Sequence, residues 1–210
     1  MKILKVKELN EASINSNDGI LLVIDVQSEF NAWMPDNYIK KVSEYCKNFE
    51  NVYQIWDSNK PKKPTYKFPN QKGLIEKKYG IKKYYSKYKG GFNEWISLIF
   101  EKNIAEQILN LVKKNSLEEG NRFKLKTGNE FLVYIGNNHK WFFVNEYLYD
   151  LFLKLKGKSV IVVGGADKEC LRDVYVAAKS FNVNVIYNHE YIYSAETAGK
   201  QSAKKTRKFN

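Results

Sequence analysis

The sequence predicts an α/β fold built on a central, mostly parallel sheet, and three observations carry that prediction. Ile20-Leu21-Leu22-Val23-Ile24 and Ser159-Val160-Ile161-Val162-Val163 are short, almost continuously apolar runs, the pattern of strands buried on both faces. Short strands alternate along the chain with segments whose apolar residues recur at helical spacing, which implies a parallel sheet with right-handed crossovers. Gly164-Gly165-Ala166-Asp167-Lys168-Glu169-Cys170 joins the second run to a helical stretch, Leu171 to Lys179, in a strand–turn–helix passage.

Taken in order, residues 1–18 read as a leader, an amphipathic fragment followed by a polar stretch from Asn10 to Asp18. Its start, Met1-Lys2-Ile3-Leu4-Lys5-Val6-Lys7, lacks the long apolar core of a signal peptide. A first strand covers 20–25. Ile39, Val42, Cys46 and Phe49, with Tyr45 beside them, predict a helix over 37–49 and put Cys46 on its apolar face, in a packing role. A second strand covers 51–56. Pro61, Pro64 and Pro69 then break regular structure and leave a long basic loop, of the kind that often forms a functional rim or lid.

Ile96, Ile99, Phe100, Ile104, Ile108, Leu111 and Val112 predict one helix over 93–115. Phe123–Lys126, Phe131–Ile135 and Trp141–Val144, separated by Thr127-Gly128-Asn129 and Gly136-Asn137-Asn138 turns, predict a small β-meander. Residues 116–144 therefore read as a β-element within a single domain of residues 1–210. Its aromatics have three open roles: closing a pocket, pairing two subunits, or covering a sheet edge. A helix over 145–156, a strand over 158–164, the helix after Cys170 to about Phe181 and a strand over 183–187 complete the chain.

A chain of 210 residues suffices for one sizeable domain with its own core. Two cysteines make no disulfide framework, and no apolar run is long enough to span a membrane. A reducing, cytoplasmic setting is expected. The net charge of +12 is concentrated: Lys60 to Lys89 holds eleven lysines and one acid, Glu76, for a local charge of +10. Tyr66, Phe68, Tyr79, Tyr84, Tyr85 and Tyr88 interleave these lysines, as in loops that neutralise phosphates while stacking on bases. The plainer reading, a solvated basic face, is preferred, and a field steering an anionic substrate lies between the two.

Cys170 is the residue that points to chemistry. At a helix N-terminus the unpaired backbone N–H groups favour a thiolate and can stabilise an oxyanion after sulfur attacks a carbonyl. A small buried thiol is the alternative role. Asp25 follows the first strand, so it lies at the rim where open α/β sheets bind ligands, unless it only caps the next turn. Lys82, in Gly80-Ile81-Lys82-Lys83-Tyr84-Tyr85-Ser86-Lys87-Tyr88, stands among many lysines and carries no signal by pattern alone.

Together these segments resemble the isochorismatase-like cysteine hydrolase family, which includes nicotinamidases and related amidohydrolases. Leu22-Val23-Ile24-Asp25-Val26-Gln27-Ser28-Glu29-Phe30 is similar to that family's L-V-I-D-x-Q-N-D-F strand. Lys82-Lys83-Tyr84-Tyr85-Ser86-Lys87-Tyr88 is similar to K-x-x-Y-S-A-F, and Gly164-Gly165-Ala166-Asp167-Lys168-Glu169-Cys170 to G-x-x-T-D-x-C. The likeness runs from about Gly19 to Tyr193 apart from residues 116–144, which by comparison with the family are a β insertion. It implies a three-layer α-β-α domain with an inserted helix and β-meander before the cysteine strand.

The resemblance further implies Cys170 as nucleophile, Asp25 as the group that takes and returns its proton, and Lys82 as the cation that holds the thiolate. The N–H groups of Ala166 and Cys170 would form the oxyanion hole, and Gly165-Ala166 would fit the family's non-proline cis peptide. Phe30, Trp33 and Trp56 are candidates for the substrate-pocket wall. The implied reaction is cleavage of an amide-type C–N bond of a small molecule through a thioester, with no cofactor, in a homo-oligomer, with no membrane association.

This chain departs from the family pattern in two places. Asp167-Lys168 replaces T-D, and Glu169 adjoins the nucleophile, where a carboxylate facing inward would raise the thiol pKa. The nicotinamidase branch carries an Asp/His/His metal site, but Gln54-Ile55-Trp56-Asp57-Ser58-Asn59-Lys60-Pro61 has no histidine, and neither His139 nor His189 has metal-ligand spacing around it. No catalytic metal is expected, which argues against a nicotinamidase. Two rival functions stay open: a catalytically silent binding protein on the same fold, and a nucleic-acid-associated protein using the Lys/Tyr loop of residues 60–89.

Overall fold

Where the sequence runs apolar without a break the chain is buried on both sides: Leu21, Leu22, Val23 and Ile24 have no exposed surface. A computed structural model of the chain describes residues 19–58, 65–77, 81–84, 89–128, 130–137, 140–167 and 170–194. In chain order the elements are β1 (Ile20–Ile24), α1 (Tyr38–Cys46), β2 (Asn51–Trp56), β3 (Gln71–Glu76), β4 (Ile81–Lys83), α2 (Gly91–Ile99) and α3 (Lys102–Lys113). Then follow β5 (Arg122–Lys124), β6 (Phe131–Asn137), β7 (Lys140–Asn145), α4 (Glu146–Leu155), β8 (Ser159–Gly164), α5 (Cys170–Ser180) and β9 (Asn184–Ile192). The described residues fall into two compact units, one within 1–76 and 155–210, the other within 77–154.

The first unit holds a five-stranded parallel sheet in the order β3-β2-β1-β8-β9. Leu21 pairs with Ile161 and Val23 with Val163, so these four side chains share a face. α1 packs Tyr38, Val42 and Cys46 into the same cluster, joined by Val52, Phe49 and Phe68. The α/β class and its parallel sheet are as the apolar runs predict.

Two corrections concern this sheet. The basic loop contains a strand, β3, which the lysines and Gly73 conceal. β3 is an edge strand with a half-exposed, alternating face, held by backbone pairing to β2 rather than by apolar burial, so its sequence carries little strand signal. β9 runs on to Ile192 instead of ending near 187, because its register jumps: Val162 pairs with Tyr187, but Gly164 pairs with Ile192. The polar residues in that bulge are anchored on α1, with Asn188 donating to the Tyr45 hydroxyl at 2.9 Å and Tyr191 stacked on Tyr45 at 4.3 Å.

The second unit carries a separate antiparallel sheet in the order β4-β7-β6-β5. β5, β6 and β7 are the expected meander, and β4 adds a fourth strand at the edge. Phe143, fully buried, is ringed by Trp95, Phe100, Phe123 and Tyr134 with ring centroids 5.3 to 6.0 Å away. This aromatic core also explains why the single helix expected over 93–115 is two. Phe100 is drawn into the cluster with extended backbone, φ −113° and ψ 154°, and the break falls there although neither proline nor glycine marks it.

Candidate active site

β1 is the strand at which the first sheet changes direction. From it the chain proceeds to β2 and β3 on one side and, after the second unit in sequence, to β8 and β9 on the other. In an open parallel sheet the crevice outside the carboxyl ends at such a reversal is where ligands bind. Asp25 is the first residue past β1 and Cys170 the first residue of α5, six positions after β8 ends at Gly164. Ile24 and Gly164 are paired across the two strands, so the acid and the thiol leave from the same end of neighbouring strands.

Asp25 turns the chain at φ 53°, a left-handed conformation that aspartate tolerates better than most residues, and it is 1 % exposed. Its N–H donates to the Ile55 carbonyl at 2.9 Å, and its own carbonyl accepts from the Gln27 N–H at 3.1 Å and the Tyr193 hydroxyl at 2.8 Å. Gln27, fully buried, then braces the ends of β1 and β2: its Nε2 donates to Glu29 Oε2 at 3.1 Å, and its Oε1 accepts from the Asp57 N–H at 2.8 Å.

On the other strand, Gly164 takes φ 108° and its neighbour's N–H, that of Gly165, donates to the Ile24 carbonyl at 3.0 Å. The Gly165–Ala166 peptide bond is cis, at the pair for which the family resemblance implied one. Ala166 is buried, and its carbonyl accepts from the Leu171 N–H at 3.4 Å, which closes the turn onto α5. Cys170 therefore opens an eleven-residue helix and is only partly buried. The first-turn N–H groups of a helix favour an anion, so a thiolate is stabilised there.

Tyr193 is hydrogen-bonded to the Asp25 main chain. Burial first, then the nearby charges of Asp25, Tyr38 and Cys170, hold its phenol far above the ordinary tyrosine value. The sequence offered little to single out this residue: it is one tyrosine among fifteen, beyond the expected end of the last strand. Gln27 stands two residues past Asp25 in the same motif, but the sequence assigned it no task.

The remaining candidates lie as follows. Phe30 is buried in the α1 cluster, with Trp33 partly buried against it at a centroid distance of 5.3 Å. Trp56, at the end of β2, is buried, and its indole N–H has no hydrogen-bond partner among the described residues. Lys82 belongs to the second unit, partly buried on β4 and paired with Phe143 of β7. Lys168 and Glu169 lie outside the described residues, as does much of the basic segment, including 59–64, 78–80 and 85–88. A groove of about 610 Å³ is lined by Gln54, Phe68, Gln71, Lys72 and Leu74 among others, and by neither Asp25 nor Cys170.

Cys46 is the contrasting thiol. Burial pushes it up to about 12, so at pH 8 only about 10⁻⁴ of it is thiolate. Native protein treated with iodoacetamide at pH 8 is expected to be modified at Cys170 alone, with Cys46 labelled only after unfolding. Peptide mass spectrometry reads this directly, and early labelling of Cys46 would contradict the packing described for α1.

Among the described residues no cluster of His, Cys, Asp and Glu side chains is suited to hold a metal ion, and no helix is long and apolar enough to cross a membrane. No protein family, curated protein or solved structure matches the chain.

Proposed function

We propose that the chain is an isochorismatase-like cysteine hydrolase, a three-layer α-β-α domain that cleaves the C–N bond of a small amide-type substrate. The observation that supports this best is the departure of Asp25 and Cys170 from the same end of adjacent strands at the reversal of the parallel sheet. In the reaction, Cys170 Sγ attacks the substrate carbonyl carbon as its proton passes to Asp25. The N–H groups of Ala166 and Cys170 stabilise the oxyanion. Collapse breaks the C–N bond, Asp25 returns the proton to the departing nitrogen, and a thioester remains on Cys170. Water then attacks the thioester, giving its proton to Asp25, and the carboxylic acid leaves as the thiol is restored.

The resemblance assigns Lys82, which belongs to the second unit, the role of the cation in this scheme. The test is the pH dependence of Cys170 alkylation. Reactivity is expected to set in well below pH 8.5, the ordinary thiol value. Lys82→Met is expected to move that onset up by about 1 pH unit or more, whereas Lys83→Met leaves it in place. An onset in the wild type no lower than that of a free thiol would defeat the hydrolase proposal. Equal effects of the two lysine variants would remove Lys82 from it.

A further inference from the structure

We propose that Tyr193 is a positioning residue for Asp25 and Cys170, clasping the end of β1 to the turn that leads into α5; this rests on the hydrolase reading above. Three hydrogen bonds make the clasp. The Tyr193 hydroxyl donates to the Asp25 carbonyl at 2.8 Å. The Tyr193 N–H donates to the Gly164 carbonyl at 3.0 Å, and the Tyr193 carbonyl accepts from the Asp167 N–H at 3.0 Å. One side chain and its own peptide groups thus bind the corner that presents the acid and both ends of the turn before the thiol.

The ring is seated as firmly as the polar groups. Tyr193 is 1 % exposed and stands edge-on to Tyr38, centroids 5.5 Å apart and planes at 88°. It lies directly over Gly165, where any Cβ would collide with it. The bulge in β9 supplies the reach, since Tyr193 follows the residue that resumes pairing with Gly164. A hydroxyl this deeply buried needs a partner, and the Asp25 carbonyl is one. Removing it leaves that carbonyl with the Gln27 N–H and the corner held by one bond fewer.

Among the described residues, the titratable groups that bear on the Tyr193 phenol are Asp25 at the end of β1, Tyr38 on α1 and Cys170 on α5. A carboxylate and a thiol held close titrate as a pair, and the separation of their two apparent pKa values measures their coupling. If the corner loosens, the pair moves apart and those values draw together.

The experiment measures the rate of Cys170 alkylation by iodoacetamide across pH 4 to 10. Wild type is expected to show two inflections. Tyr193→Phe is expected to bring them closer by about half a unit or more, which changes the rate between them about threefold. Tyr38→Phe, which loses a bond to the Tyr191 carbonyl and an interaction with the Gly164 main chain but none with Asp25, is expected to leave the spacing unchanged. In an Asp25→Asn background one inflection remains, and adding Tyr193→Phe is expected not to move it. Near-UV circular dichroism verifies packing, and Tyr193→Met, which keeps apolar volume, serves if the phenylalanine variant does not fold.

Wild-type spacing in Tyr193→Phe, an equal effect of Tyr38→Phe, or a shift that persists without Asp25 would each overturn the inference while leaving the hydrolase reading intact. A wild type with a single inflection at the free-thiol value removes both.

Discussion

Cys170→Ala is expected to abolish turnover, lowering ammonia release from a panel of small amides and ureides by about 10⁴-fold or more, to the uncatalysed background. The size follows from the covalent step: without sulfur no thioester forms, and neither Asp25 nor the main-chain N–H groups can replace the bond. The same change should cost the fold less than about 1 kcal/mol. Cys170 is partly exposed at the first position of α5, and alanine is a good helix residue. Loss of activity with an unchanged melting curve therefore separates chemistry from folding. Identical ammonia release from wild type and variant across the panel would retire the proposed chemistry for those substrates.

Gly164→Ala is expected to destabilise the protein by about 3 kcal/mol or more, lowering the urea midpoint by roughly 1 to 2 M. Two causes act together. At φ 108° a side chain is strained whatever space it has, and here there is none, since a Cβ would collide with the Ile24 carbonyl. That carbonyl cannot give way, because Ile24 pairs with both neighbouring strands and its oxygen accepts the Gly165 N–H. Gly157, at φ 75° with open space around it, isolates the first cause, and Gly157→Ala should cost only about 1 kcal/mol. Similar midpoints for the two variants would mean that β1 and β8 are not as closely apposed as described.

Local pattern predicted most of the elements and misplaced those governed by distant contacts. β1 and β8 were legible because a strand buried on both faces must be apolar throughout, and α1 because its buried stripe recurs at helical spacing. β3 was not, since an edge strand is held by main-chain bonds that any residue supplies. The interruption between α2 and α3 depends on an aromatic cluster whose members lie more than twenty residues apart, Phe100 with Phe123 and Phe143. No window of sequence contains it.

The candidate site divides the same way. Asp25 and Cys170 stand out in the sequence because each follows an apolar strand, a place where a charged or nucleophilic side chain is exceptional. The small pair Gly165-Ala166 is marked only by the family resemblance, which implies a cis peptide there. That Asp25 and Cys170 leave from the same end of neighbouring strands was not legible, because the order β3-β2-β1-β8-β9 is set by which strands pair, and residues 140 positions apart become partners only on folding. Tyr193 belongs wholly to the tertiary structure: its task comes from a jump in register and a carbonyl 168 positions away. Burial writes itself into the sequence as hydrophobicity, which is why the strands could be read there. A hydrogen bond to another residue's main chain asks nothing of that residue's side chain, so the sequence holds no trace of it.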